Sequence, residues 1–350
     1  MIIGMANNLF GKYGRGSGAE VIVEKMAADY RQQGHQVFII TTKPKGAADG
    51  DRDDCYYLPS NYHRLKDWST PRKFLWHAGQ LLLPGNCRKI KKILQARKPD
   101  LFITHNLLGL GASLPRLLKK YNIRHEHVLH DIQLLHPSGL MYWGQEHIIS
   151  SPAAKIYQAL TKHLLKNASL IISPSYWLLA LHTQHGFFLN QAKKIRRNFN
   201  LKKITPATLK KPINFVFTGQ IEKHKGINIL LSAWKQANLT PETAKLMIAG
   251  DGSWADWLKK EVALINNIEY VGRLDRAGIT ALLEKSDVVV LPSLVYENSP
   301  TSLWEAAAAG KRAIASDIGG IPELSPYLNL LLIPPGDVYA LAEAFKTITH

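Results

Sequence analysis

The chain has 350 residues, 46% hydrophobic and 20% charged, which excludes a disordered protein and predicts two domains of about Rossmann size. No apolar run reaches the ~18 residues of a spanning helix, residues 1–5 lack the flank of a secretory signal, and two cysteines, Cys55 and Cys87, exclude a disulfide framework, so a reducing cytoplasm is expected. The net charge of +17 is uneven: residues 1–200 hold 28 basic and 12 acidic residues (+16) and residues 201–350 hold 16 and 15 (+1), so the first half alone is expected to meet an anionic partner.

Residues 2–5 read as a strand, residues 19–33 as a helix ended by Gly34, and residues 37–41 as the next strand. Between the first strand and helix lies Gly14-Arg15-Gly16-Ser17-Gly18-Ala19-Glu20. Its glycines let backbone approach a ligand, and the helix N-terminus that follows attracts an anion. The spacing satisfies G-x-G-x-x-A, yet a dinucleotide site wants an acid after the second strand, where Thr41, Thr42 and Lys43 stand. Next comes a basic, aromatic stretch with Arg64, Lys66, Trp68, Arg72, Lys73, Phe74 and Trp76, then Leu81 to Leu83, Arg88, Lys89, Lys91 and Lys92. Such interleaving suits an anionic membrane surface; the plainer reading is a core holding Trp68, Phe74 and Trp76 under solvated bases.

Residues 88–97 and 153–165 read as helices, and residues 101–104, 127–130 and 170–172 as buried strands. The lysine-rich stretch 190–212 breaks the pattern, placing a linker at 196–212 between domains at 1–195 and 213–350. In the second half, strands at 215–218, 246–249, 268–271, 288–291 and 313–315 each lead through a turn into a helical segment. A last apolar run at 330–333 precedes a helix from about Val338. Such alternation predicts parallel sheets wound with helices, with ligands outside the carboxyl ends of the strands.

Two loops of the second half carry chemistry. After the strand at 215–218, Gly219-Gln220-Ile221-Glu222-Lys223-His224-Lys225-Gly226 delivers Lys225 just before a helix, where a lysine can meet a diphosphate. After the strand at 288–291, Tyr296-Glu297-Asn298-Ser299-Pro300-Thr301 leads into the helix that carries Glu305. Ser299 reads as its N-cap and Pro300 as its first residue. A carboxylate there can accept two ribose hydroxyls, while the backbone of Asn298, Ser299, Pro300 and Thr301 holds sugar and phosphate.

Glu297 and Glu305 form an E-x7-E pair, and in this the chain resembles the retaining GT-B glycosyltransferases of family four. The likeness extends to Gly16-Ser17-Gly18-Ala19-Glu20, to Lys225-Gly226, to Ala249-Gly250-Asp251-Gly252, to Tyr270-Val271-Gly272, to Pro292-Ser293, to residues 306–310 and to Gly319-Gly320-Ile321-Pro322-Glu323, in the right order. It implies an α/β GT-B fold, two Rossmann-like doubly wound domains facing each other across a cleft, the second taking the donor and the first the acceptor. It further implies that Glu305 binds the ribose, that Glu297 lies near the donor-sugar hydroxyls, that Lys225 neutralises the diphosphate, and that Gly16 to Gly18 approach it from the other domain. His130 matches the family's first-domain histidine beside the donor sugar; on its own it reads as a strand-end histidine bonded to Asp131.

Where the family has arginine beside its lysine this chain has Gln220, which leaves Lys225, helix dipoles and Arg273 to stabilise the leaving group. The chain also stops at His350, where relatives commonly continue into a further helix. A nucleoside diphosphate leaves as an anion and needs positive charge more than a general acid. The expectation is therefore a retaining hexosyltransferase with no metal and no cofactor beyond the nucleotide-sugar co-substrate, UDP- before GDP-. Its acceptor is expected to be a glycan or lipid-linked, in cell-envelope polysaccharide or glycolipid synthesis, with the basic half peripheral to the inner face of the membrane. The motif Asp49-Gly50-Asp51, which resembles the metal-binding D-x-D of other transferases, lacks its fold context and reads as a solvated loop; the histidines show no zinc spacing. A nucleotide-sugar epimerase or phosphorylase of the same fold, or a nucleic-acid binder on the basic half, are the rival readings. The first lacks a pyridoxal lysine motif if a phosphorylase, and the last leaves the two glutamates unexplained, so no nucleic acid is expected.

Overall fold

The computed structural model describes residues 1–14, 18–50, 52–82, 85–197 and 208–350. Its first sheet contains β1 (Ile2–Ala6), β2 (Gln36–Pro44), β3 (Cys55–Ser60), β4 (Leu101–Thr104), β5 (Arg124–Val128), β6 (Leu170–Ser173) and β7 (Ala192–Ile195). All are parallel, in the order β3-β2-β1-β4-β5-β6-β7. Parallel neighbours need crossovers, supplied by α1 (Gly18–Gln32), α2 (Thr70–Leu82), α3 (Cys87–Arg97), α4 (Ser113–Lys120), α5 (Pro152–Leu165) and α6 (Tyr176–Gln184). Strand alternation divides the core between two faces. Ile3, Met5 and Ile39 pack with Val23 and Met26 of α1, whereas Phe38, Ile40 and Phe102 pack with Ile90 and Leu94 of α3 and Leu114 of α4.

The second sheet holds β8 (Ile213–Thr218), β9 (Ala244–Ala249), β10 (Ile268–Gly272), β11 (Val288–Leu291), β12 (Arg312–Ser316) and β13 (Asn329–Ile333), parallel in the order β10-β9-β8-β11-β12-β13. The chain therefore reverses direction of growth between β8 and β11, the switch point where such sheets receive ligands. Its helices are α7 (Ile227–Ala237), α8 (Ala255–Val262), α9 (Arg276–Glu284), α10 (Thr301–Ala308) and α11 (Val338–Thr349). On one face Phe215 of β8, Trp234 of α7 and Phe345 of α11 meet edge to face, with ring centroids 5.1–5.5 Å apart. On the other, Val216 and Leu291 pack against Leu303, Trp304 and Ala307 of α10.

Contacts divide the chain into two units, the first comprising Met1–Gly139 and His147–Arg196, the second Leu140–Glu146 and Arg197–His350. The short Leu140–Glu146 segment, inside the sequence of the first unit, thus belongs to the second.

Three expectations need correction. The strand expected at 127–130 runs from Arg124 to Val128; His130 lies beyond its end. Residues 192–195, expected at the start of an irregular lysine-rich stretch, form β7 against β6. Its exposed Lys193 and Lys194 suit an edge strand that must not pair further. Finally, Asp51 of the expected solvated loop lies outside the described residues, while residues 52–54 lead into the unexpected β3, and Asp54 is half-buried, accepting hydrogen bonds from Arg31 and, at 3.0 Å, from Arg52.

Candidate active site

The loops leaving β8, β9 and β11 are tied together by backbone geometry. Gly226, the residue before α7, has φ +73°, and a Cβ there would lie 1.8 Å from the Pro292 carbonyl oxygen, so only glycine brings the start of α7 against the end of β11. The Leu294 N–H donates to the His224 carbonyl at 2.9 Å, closing the same seam. Toward β9, Glu222 accepts from the backbone N–H of Ser253 at 2.8 Å and from its hydroxyl at 2.7 Å. Glu222 was not among the expected site residues; its signal is a carboxylate inside a polar loop facing Gly252-Ser253.

This frame sets the charges. Lys225 Nζ lies 2.6 Å from Glu297 Oε1, with side-chain exposures of 21% and 13%. The buried Ser293 hydroxyl donates to the same oxygen at 3.0 Å. The Glu297 backbone is held as well: its carbonyl accepts the Gly320 N–H at 2.7 Å, and a Cβ on Gly319 (φ +65°) would lie 2.3 Å from that oxygen. Lysine and glutamate, 72 positions apart, thus form one preorganised pair at the switch point. An amide-rich helix start at α7 adjoins them, a combination suited to an anion beside a hydroxylated group.

Glu305 sits on α10, half-buried, and burial raises its carboxyl above the ordinary range while Arg276 opposes the rise. Pro300, not Ser299, occupies the N-cap position of α10 and has no side-chain cap. The Ser299 hydroxyl instead accepts the Trp304 indole N–H at 2.7 Å, because a buried indole donor needs a partner. Asn298 and Thr301 are half-buried in the same loop. Gln220 is exposed in the loop after β8, and Arg273 is exposed beyond β10. Gly250 donates to the Gly272 carbonyl at 2.8 Å, joining the ends of β9 and β10.

In the first unit, Gly16 and Ser17 lie outside the described residues, and Gly18 opens α1. His130 lies just past the end of β5. Its Nε2 lies 2.7 Å from Nδ1 of His105, the fully buried residue that follows β4, and the two rings are 5.0 Å apart. Burial pushes the His130 imidazole down to about 4 and His105 well below its ordinary value, with His130 itself contributing to the latter. Asp131 accepts from the Gln133 N–H at 2.7 Å and from Asn106 at 3.3 Å, and burial raises it to about 6. A cavity of about 50 Å³ opens among His105, His127, His130, Asp131 and Tyr157. His105 is not among the expected site residues, although His105-Asn106 follows β4 much as Leu129-His130-Asp131 follows β5.

The basic surface residues resolve into two settings. Arg88 and Lys89 are exposed on α3, with Lys91 and Lys92, while Ile90 and Leu94 turn inward. Trp68 is half-buried under the Arg72 guanidinium, 4.0 Å above its ring, and Trp76 is half-buried against Tyr62 and His77. Lys73 is half-buried; the side chains of Lys66 and Phe74 lie outside the described residues. Among the described residues no helix is long and apolar enough to cross a membrane.

The sequence model of the glycosyl transferases group 1 matches residues 212–350, and that of glycosyltransferase family 4 matches residues 16–197. A 42.6 kDa protein of the cps region of Klebsiella pneumoniae is 28% identical over 337 residues, covering 94% of this chain and 88% of that protein. The amylovoran biosynthesis glycosyltransferase AmsK of Erwinia amylovora is 29% identical over 153 residues, 41% of this chain and 37% of AmsK. Among solved structures, HepE of Anabaena in complex with UDP superposes with a TM-score of 0.69 at 18% identity, covering 99% of this chain and 89% of that one. Sucrose-phosphate synthase of Thermosynechococcus elongatus gives 0.70 at 20% identity, with the same coverages. At these identities the structures establish the GT-B fold. With a family model spanning more than half of its length, the chain belongs to glycosyltransferase family 4.

Proposed function

We propose that this glycosyltransferase moves a hexose-type sugar, with retention, from a nucleotide-diphosphate sugar to a glycan or lipid-linked acceptor in cell-envelope polysaccharide or glycolipid synthesis. The observation that carries the reading is the Lys225–Glu297 pair beside the start of α7, with Glu305 on α10. Lys225 and the α7 amides supply the positive charge that a departing nucleoside diphosphate requires, so the reaction runs without a metal or a further cofactor. Glu297, held by Ser293 and Gly320, presents its carboxylate to sugar hydroxyls. Glu305 accepts from the ribose. The departing phosphate itself helps deprotonate the acceptor hydroxyl on the face it leaves, which retains configuration.

UDP is the preferred base carrier, a choice supported by the solved complexes of the similarly folded HepE with UDP and UDP-glucose. The cps-region and amylovoran relatives support an envelope polysaccharide as the setting. The exposed bases of α3 favour a cytoplasmic enzyme peripheral to the anionic inner face of the membrane. Screening UDP-, GDP- and ADP-sugars for thermal stabilisation and for donor hydrolysis in the presence of EDTA tests the reading. Stabilisation by UDP-sugars and EDTA-resistant turnover are expected; response to none of the three classes overturns it.

A further inference from the structure

The residues around Glu297 are held by a segment that no motif of the sequence marks. Leu140–Glu146 lies in the second unit and pairs with the loop that carries the glutamate. Tyr142 and Val295 form an antiparallel bridge. On either side of it the Trp143 N–H donates to the Leu294 carbonyl at 3.0 Å, and the Tyr296 N–H donates to the Met141 carbonyl at 2.9 Å. The Tyr296 hydroxyl then donates to Glu146 Oε1 at 2.7 Å, and the same oxygen accepts the Gly144 N–H at 2.9 Å. One carboxylate oxygen thus closes the turn of the strap and anchors the tyrosine next to Glu297.

Held this way, the backbone at 294–296 resists the local opening open to an ordinary loop, since several hydrogen bonds must break together. On the far side Gly320 fixes the Glu297 carbonyl, leaving the carboxylate little freedom beyond its contacts with Lys225 and Ser293. Sub-ångström placement of a group that touches the reacting sugar governs transfer far more than it governs binding of a nucleotide that lacks the sugar.

We propose that Glu146, acting through Tyr296, is a positioning residue for Glu297, and that the Leu140–Glu146 strap sets recognition of the donor sugar without contributing to recognition of the nucleotide. The inference rests on the reading of Glu297 as the carboxylate facing the donor sugar.

The test uses the full chain and the variants Glu146→Ala, Glu146→Gln and Tyr296→Phe, with two readouts. In the unliganded protein, exchange of the Tyr296 and Trp143 amides should accelerate at least tenfold in Glu146→Ala and Tyr296→Phe and stay near wild type in Glu146→Gln, which keeps an acceptor oxygen. By calorimetric titration, Glu146→Ala and Tyr296→Phe should weaken UDP-glucose about tenfold while changing UDP less than twofold, and Glu146→Gln should leave both near wild type. Unchanged amide exchange, or equal weakening of UDP and UDP-glucose, overturns the strap. Wild-type protein that binds neither ligand overturns the donor reading instead, and the exchange measurement still decides the strap.

Discussion

The two units meet the problem of burying ionisable groups in opposite ways. At the end of β11 the second unit keeps its charges and pairs them: Lys225 on Glu297, 2.6 Å apart, with Ser293 supporting. At the ends of β4 and β5 the first unit buries imidazoles that remain neutral, His105 against His130. A charged pair is ready to exchange partners with an anion. A neutral imidazole pair offers directional hydrogen bonds with no net charge, the property wanted beside an uncharged, hydroxyl-rich group. Under the proposed function, the first property would serve an anionic leaving group and the second a sugar.

The largest expected effect breaks this contrast with acid. His125, His130 and His182, all in the first unit, are depressed by burial to about 4. Unfolding restores an ordinary value near 6.5, so between pH 6.5 and 4 the unfolded chain binds more protons and stability falls as pH falls. At pH 5 each such histidine removes about 2 kcal/mol. Asp131, raised to about 6, has the opposite sign: the folded state holds its proton in the same window and returns about 1 kcal/mol. His105 and His127, buried and held well below their ordinary value, act in the same direction, so the first unit should lose at least about 4 kcal/mol between pH 7 and 5. Denaturant unfolding at both pH values, followed by hydrogen exchange resolved by unit, checks it; equal losses in the two units contradict the assignment.

Next in size is Lys225→Ala. If the lysine carries the charge of the leaving group, its removal should cut donor turnover by about 100- to 1,000-fold, on the order of 3–4 kcal/mol. It also leaves Glu297 with Ser293 but without its cation, a loss that Glu297→Gln in the same chain should partly relieve in stability while activity stays low. Thermal melts alongside single-turnover assays separate the two consequences. Melting points that add across the pair would mean that the contact has no energetic weight.

Glu305→Ala is expected to lower donor kcat/KM by about 1.5–3 kcal/mol, the value of a hydrogen bond to a charged group. Because burial raises the Glu305 carboxyl and Arg276 lowers it, Arg276→Ala should move the acidic limb of the donor pH profile upward. Unchanged donor kinetics in Glu305→Ala would remove the residue from the ribose.

These residues differ in how legible they were. Gly226, Gly250 and Gly319 stand where backbone meets backbone, a constraint that a sequence displays directly because one residue type satisfies it. The strands of the second sheet were readable for a similar reason: residues 288–291 are buried on both faces and appear as an unbroken Val-Val-Val-Leu. By contrast, Cys55–Ser60 and Ala192–Ile195 are edge strands carrying tyrosine, proline or lysine, so their pattern is that of a loop. Pairing was not legible at all. Lys225 and Glu297 meet only because β8 and β11 are neighbours, and His105 meets His130 only because β4 and β5 are. The Leu140–Glu146 strap joins mainly through backbone hydrogen bonds, which leave almost no mark on side-chain choice, and its side-chain contact, Tyr296 to Glu146, links residues 150 positions apart.

The smallest expected effect concerns the surface charge that separates the two halves. On α3, Arg88, Lys89, Lys91 and Lys92 are exposed and Ile90 and Leu94 hold the helix to its sheet, so the bases are free to meet a charged plane. Trp68 is placed differently: half-buried beneath Arg72, it cannot enter a headgroup layer without giving up that contact. Attachment to a membrane should therefore be electrostatic, with little contribution from inserted rings. Each base near an anionic surface contributes about 1 kcal/mol, so Lys89→Ala should reduce partitioning onto phosphatidylserine-containing vesicles by roughly fivefold, and Trp68→Ala by less. Because the bases are exposed, the effect should fade as salt shortens the Debye length to about 8 Å at 0.15 M and below. Sedimentation with anionic and neutral vesicles over a salt series measures it. Loss of binding in Trp68→Ala that exceeds the loss in Lys89→Ala, or equal binding to neutral vesicles, would mean that apolar insertion drives the attachment.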